Sequence, residues 1–104
     1  MQSPELDKEG YLIALSDWNE AVARQLAQCE RIDLLDEHWT LIHLVRAFYQ
    51  KFEVAPAMRP LVKQVREQLG AEKGTSIYLL KLFPGSPARL LAKIAGLPRP
   101  TNCL

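Results

Sequence analysis

From Asp36 to Gly96 the apolar residues recur every three or four positions, and prolines and glycines cut that pattern into short lengths. This combination constrains the fold more than any other feature. The spacing puts apolar side chains on one face of an α-helix, and Pro and Gly stop helices at defined places. In "DEHWTLIHLVRAFYQKF", Leu41, Leu44, Val45, Phe48 and Phe52 form one stripe, with Asp36 as the expected N-cap. Trp39 and Tyr49 read as core or rim residues. "EVAPAMRP" closes that helix and opens another, in which Leu61, Val62, Val65 and Leu69 share a side and Gly70 ends the run. "TSIYLLKLFP" reads as a short apolar helix stopped by Pro84. "SPARLLAKIAG" reads as a further helix, capped by Ser86, with Pro87 in its first turn, Leu90, Leu91 and Ile94 facing inward, and Gly96 at its end.

Nearer the start, "SDWNEAVARQLAQCE" places Trp18, Val22, Leu26 and Cys29 at helical spacing, with Ser16 or Asp17 as cap. Cys29 on that stripe reads as a buried, inert thiol. "ELDKEGYLI" sets a Lys-Glu-Gly turn between two half-apolar runs and predicts a small hairpin. The expected architecture is mainly α: one domain over residues 1–104 with about five helices, a short N-terminal β-hairpin, and a mobile C-terminal arm over 97–104. The length of 104 residues suits one domain, and no repeat, low-complexity stretch or linker divides it.

Composition and charge narrow the function. Apolar residues make up 48% and charged residues 24%, the proportions of an ordinary soluble domain. No run of eighteen apolar residues occurs, and "MQSPELDKEG" lacks the basic-then-apolar order of a secretory signal, so a cytoplasmic location is expected. The two cysteines, Cys29 and Cys103, form no CxxC and no zinc-type cluster. His38 and His43 would stand about 140° apart on a helix, which does not converge on a metal; they read as surface or capping residues. No cofactor is expected. The net charge of +1 is divided unevenly: residues 1–53 hold ten acidic and five basic side chains, residues 54–104 two acidic and eight basic. The cationic half could meet an acidic partner, protein or RNA, or the halves could pack together and offset each other. Arg59, Lys63 and Arg66 fall on the outer side of their helix; Arg89 and Lys93 align four apart on the outside of the last one.

The ending, "GLPRPTNCL", carries the distinctive chemistry. Pro98 and Pro100 fix their own φ and push Leu97 and Arg99 toward extended backbone. A semi-rigid spacer results, able to present Cys103 roughly 20 Å beyond the last helix. A free thiol of pKa about 8.5 with no adjacent His is a poor nucleophile on its own, although Arg99 and Lys93 favour its thiolate. One reading is a carrier thiol, activated by the proteins it visits and suited to hold a persulfide. The other is a chance cysteine on a frayed end.

"HW", "VRAFYQKF", "MRPLVK", "EKGTSIYLLKLFP" and "KIAGLPRPTNCL" together resemble the DsrC/TusE family of sulfur-trafficking proteins, over about Gly10 to Leu104. The resemblance implies the helical fold with hairpin and mobile arm, and Cys103 as the persulfide-bearing residue. Members of the dissimilatory sulfite reductase branch carry a second arm cysteine eleven positions before the last. Ala92 stands there in this chain, which is therefore similar to the single-cysteine TusE type. That type implies a sulfurtransferase acting as a persulfide relay: sulfur reaches Cys103 from a TusBCD-like complex and passes to a thiouridylase that 2-thiolates the tRNA wobble uridine, with direct or indirect tRNA contact and no membrane. Arg99, Lys93, Arg89, Arg59, Lys63 and Arg66 are the candidate partner-binding residues. Ile77 and Leu80 depart from the family's usual basic residue and tyrosine, and bear on which partner is met. Two alternatives accompany this reading: a DsrC-like paralogue serving a sulfite reductase or other sulfur-oxidation machinery, and a helix-turn-helix regulator using Arg59, Lys63 and Arg66 on nucleic acid.

Overall fold

The last helix is the one the others surround. In a computed structural model, which describes residues 4–100, the helices in chain order are α1 (Glu20–Cys29), α2 (Asp36–Phe52), α3 (Met58–Leu69), α4 (Ser76–Leu82) and α5 (Pro87–Ile94). A short 3-10 turn, Leu15–Asp17, precedes α1. Cys103 lies outside the described residues. Pro87, Ala88, Leu91, Ala92 and Ile94 of α5 are all buried. Those positions span more than one face, so α5 requires neighbours on several sides, and α1, α2, α3 and α4 all pack against it. Around it sit Ala23 and Leu26 of α1, Leu41, Ile42 and Val45 of α2, Leu61 and Val65 of α3, and Leu79 and Phe83. Among the described residues, no helix is long and apolar enough to cross a membrane.

The helix boundaries follow local chemistry, with some substitutions of player. α1 is capped by Asn19, whose side chain accepts the Val22 N–H at 2.9 Å; Ser16 and Asp17 are not its caps, and Trp18 stands outside the helix. The buried stripe of α1 is Val22, Ala23, Leu26 and Ala27. The two alanines move the centre of that face so that Cys29 lies about 90° from it. Cys29 is accordingly exposed, not buried as expected. Asp36 is the first residue of α2, not its cap. Leu35 takes the cap position, and its N–H is satisfied at 3.0 Å by His38 Nδ1. His38 Nε2 meets the Leu82 carbonyl at 2.9 Å, so the ring is the Nε2–H tautomer. Its edge rests on Phe83 at 5.1 Å. His38 is thus a buried capping residue that ties the start of α2 to the end of α4, while His43 is exposed. Leu41 and Val45 are buried, but Phe52 is half-exposed because the 17-residue α2 outruns the shorter α5. Gly70 ends α3 with a φ of +104°, and Thr75 caps α4 through the Tyr78 N–H. Ser86 occupies the α5 cap position but makes no side-chain cap bond.

The expected N-terminal β-hairpin does not form as strands. Among the described residues the only ladder-type pairing is an isolated antiparallel bridge, Leu6 to Leu12. The Asp7 carboxylate accepts the N–H groups of Glu9 and Tyr11 at 2.9 and 3.0 Å, which curls the segment into a tight turn. Beyond it the chain enters the 3-10 turn at Leu15, and no further pairing can be added.

Two outcomes test this arrangement. Replacing His38 with Ala leaves the Leu35 N–H and the Leu82 carbonyl without their partner, and a loss of about 1–3 kcal/mol is expected in urea unfolding; an unchanged midpoint contradicts the cap. Tyr78 donates its hydroxyl to Glu37 at 2.6 Å. Desolvation, then the hydrogen bond to Glu37 and its negative charge, push the phenol up to about 12. The folded state therefore favours the neutral phenol. Its stabilising effect is present below the ordinary tyrosine pKa of about 10 and is lost as pH rises toward about 12. Absorbance titration is expected to show a late tyrosinate step that disappears in Tyr78→Phe and moves to lower pH in Glu37→Gln.

Candidate functional site: the root of the arm

An α-helix leaves its last four carbonyls without intrahelical partners. At the end of α5 each of them finds a donor. Gly96 N–H reaches Lys93 O at 3.1 Å and Leu97 N–H reaches Ala92 O at 2.9 Å, the paired bonds of a Schellman ending. Trp18 Nε1 donates to Ile94 O at 2.9 Å, across 76 residues of chain. The Arg46 guanidinium donates to Ala95 O at 2.7 Å and stacks on the Trp18 ring at 3.8 Å from its centroid. A cation at this position also suits the negative end of the helix dipole, and burial lowers the Arg46 pKa from its ordinary value.

Gly96 lies at the centre of this closure. Its φ of +74° is left-handed, and a Cβ placed there would come within 2.3–2.8 Å of the Trp18 Cδ1, Cγ and Cβ atoms. Those atoms are at the root of a rigid indole that is itself hydrogen-bonded, so they cannot swing away. Both the turn and the close approach of the indole require glycine.

From Leu97 to Pro100, the part of the expected arm that lies within the described residues, the chain returns to the body at two points. Leu97 is 3% exposed and Pro100 is buried, with Pro98 and Arg99 exposed between them. The Schellman geometry turns Leu97 back against the helix it follows. Cys103 is three residues beyond Pro100, a span of at most about 10 Å, and lies outside the described residues.

The predicted basic residues divide into two groups. Arg89, Lys93 and Arg99 all meet the N-terminal turn or its surroundings. Tyr11 donates its hydroxyl to Arg89 O at 3.4 Å. Lys93 Nζ pairs with Glu30 at 3.3 Å, lies 5.2 Å from the Tyr11 ring centroid and packs beside Gly10. Lys93 is therefore held inward, not free on the outside of its helix. Arg99 contacts both carboxylate oxygens of Glu9. Arg59, Lys63 and Arg66 sit exposed on α3, where Arg66 bonds to the Gly74 carbonyl at 3.2 Å; they take no part in the contacts that close α5. Sequence reasoning missed the roles of Trp18, Arg46, Glu9 and Glu30. One signal was present: Arg46 is a lone cation between the apolar residues of "HLVRAF", where a charge needs a partner.

These features define a small helical domain that builds its most elaborate polar arrangement around the point where a cysteine-bearing segment departs. The family model "DsrC like protein" matches residues 1–104, and the chain belongs to that family. It is 53% identical over 100 residues to "Sulfurtransferase TusE homolog" of Haemophilus influenzae, covering 96% of this chain and 92% of the relative. "Sulfurtransferase TusE" of Photorhabdus laumondii is 48% identical, covering 99% and 93%. Among solved structures, Allochromatium vinosum DsrC superposes with a TM-score of 0.87 at 45% identity, covering 95% of this chain and 88% of that one. The oxidized gamma-subunit of the dissimilatory sulfite reductase (DsrC) from Archaeoglobus fulgidus gives 0.84 at 39% identity, covering 97% and 92%.

Gly96→Ala is expected to destabilise the protein by more than about 1 kcal/mol, because Ala must adopt positive φ and also displace the indole. Urea unfolding followed by Trp fluorescence measures it. A neutral or stabilising effect contradicts the closure described.

Proposed function

We propose that this protein is a sulfur carrier of the single-cysteine type, a sulfurtransferase in which Cys103 bears the transferred sulfur. The observation that carries this reading is the near-full-length match to relatives named sulfurtransferase TusE. The geometry supports it: the closure at Trp18, Arg46 and Gly96 fixes the start of the segment that leads to Cys103. The chemistry is an exchange with no net oxidation. The Cys103 thiolate attacks the outer sulfur of a donor cysteine persulfide. A new S–S bond forms at Cys103, the donor S–S bond breaks, and the donor leaves as thiolate. The same step in reverse sense, with an acceptor thiolate attacking, unloads Cys103. The donor is a TusBCD-like complex and the acceptor a thiouridylase that 2-thiolates the tRNA wobble uridine, in the cytoplasm. Arg59, Lys63, Arg66 and Arg89 are exposed cations on α3 and α5 that those partners can reach.

Ala92 weighs against an internal two-cysteine cycle of the kind expected for a sulfite reductase partner. It is 2% exposed within the core, and its carbonyl accepts the Leu97 N–H. The test is an intact mass after incubation with a cysteine desulfurase, cysteine and a relay donor. A gain of one sulfur, about 32 Da, that a reductant removes and that Cys103→Ala abolishes is expected. No adduct on the wild type, or an adduct that survives Cys103→Ala, overturns the proposal.

A further inference from the structure

We propose that the groove between α2 and α3 is a docking site for an amphipathic helix with an acidic flank, carried by a partner protein. The groove is lined from Thr40 to Phe52 on α2 and from Gln64 to Leu69 on α3, and holds about 450 Å³. At 1.5 Å per helical residue its α2 wall is about 18 Å long. Leu44, Ala47, Phe48 and Leu69 give it an apolar lining. Phe52 stands at one end, where α2 outruns α5; its ring centroid is 4.6 Å from that of Phe48, and it is still 50% exposed. An exposed apolar surface bordered by polar side chains marks a site of interaction.

Three features select the occupant. The first is the backbone. The lining residues belong to two helices whose N–H and C=O groups are spent on their own turns, so the groove offers side chains alone. An extended peptide would find no ladder to join there, whereas a helix arrives with its backbone already paired. The length suits about three turns, with apolar anchors at i, i+4 and i+7. The second is charge. Lys51 is the one lining residue with a fixed charge, its Nζ lies 5.3 Å from the Phe52 ring centroid, and it makes no ion pair among the described residues. The acidic neighbours in sequence, Asp36, Glu53 and Glu67, lie outside the lining. A carboxylate on the partner complements Lys51, while a single cation beside apolar side chains is a poor match for a run of phosphates. The third is the pair of amides one turn apart on α3. Gln64 and Gln68 hydrogen-bond to no other described residue through their side chains, and so stand ready for the polar flank of an incoming helix. Arg46 is about 140° around α2 from Lys51, so the groove and the closure of α5 open to different sides and docking leaves that closure intact. The site belongs to the body of the protein and stands apart from the chemistry of Cys103.

The test uses the full chain and a synthetic helix, stapled through its side chains, of about 14 residues. Leucine occupies its i, i+4, i+7 and i+11 positions and glutamate its flanks; a second peptide has lysine in place of glutamate. Fluorescence anisotropy reads affinity, and amide shifts in 15N spectra read the place of binding. Shifts are expected around residues 40–52 and 64–69. Ala47→Glu puts a carboxylate into the apolar lining at an exposed helical position, and is expected to weaken the glutamate peptide by about tenfold or more. Lys51→Gln is expected to weaken it roughly two- to fivefold, and about 1 M salt by a similar factor. The lysine peptide is expected to bind more weakly than the glutamate one. No binding of the glutamate peptide at about 1 mM, shifts that map elsewhere, an affinity unchanged by Ala47→Glu, or equal binding of the two peptides overturns the proposal. Sedimentation without peptide covers the other occupant: a dimer that Ala47→Glu dissociates assigns the groove to a second copy of the chain and overturns the partner helix. Circular dichroism checks that Ala47→Glu is folded; were it not, the shift map and Lys51→Gln still decide.

Discussion

The closure of the α5 C-terminus is the interaction on which the rest of this structure depends. A helix end inside a protein needs a donor for every carbonyl it exposes. Here two donors come from the turn that follows, at Gly96 and Leu97, and two come from remote side chains, Trp18 and Arg46. The remote donors also support each other, since the guanidinium lies on the indole face. Trp18 belongs to the segment before α1, Arg46 to α2, and the carbonyls to α5. Three parts of the chain must therefore be in place before the arm has a fixed origin. Gly96 makes this possible by letting the indole descend onto the backbone, where any larger residue would hold it off.

That origin matters because a thiol on an arm brings little catalytic power of its own. A cysteine of ordinary pKa is mostly protonated at neutral pH and gains reactivity only in a suitable electrostatic setting. A carrier can leave that setting to the proteins it visits, provided it delivers the sulfur to the right place. Delivery is a geometric task, and it is served by a rigid root and a short, stiff lead. The cations nearest the arm, Lys93 and Arg99, are already engaged with Glu30 and Glu9. The exposed cations of α3, Arg59, Lys63 and Arg66, take no part in those pairs.

The helices from Asp36 onward were legible because each combines a stripe with a stop: Leu41 and Val45 before the prolines of "EVAPAMRP", Leu61 and Val65 before Gly70, Leu91 and Ile94 before Gly96. The N-terminal part was less so, for local reasons. Two alanines turned the face of α1 away from Cys29. Asn19 won the cap from Ser16 and Asp17, and the Asp7 side chain took the Tyr11 N–H that a hairpin ladder would have used. The arm's root was illegible for a different reason. Neither Trp18 on Ile94 O nor Arg46 on Ala95 O has any signature in local spacing, because each is a contact between residues distant in the chain. The opposed charges of the two halves did leave a trace, and Glu9–Arg99 and Glu30–Lys93 are where acidic first half and basic second half meet. The ending "KIAGLPRPTNCL" identified the family, but nothing in it indicated that Leu97 and Pro100 are buried.

The central claim, that the arm departs from a rigid point built by remote side chains, is tested most directly by backbone 15N relaxation at Ala95, Gly96 and Leu97. Order parameters of about 0.85, equal to those of the helices, are predicted for all three, with a fall at Gly96 and Leu97 when Trp18 is replaced by Phe. Values below about 0.6 in the unaltered protein would mean that the helix end is open in solution and that no fixed root exists.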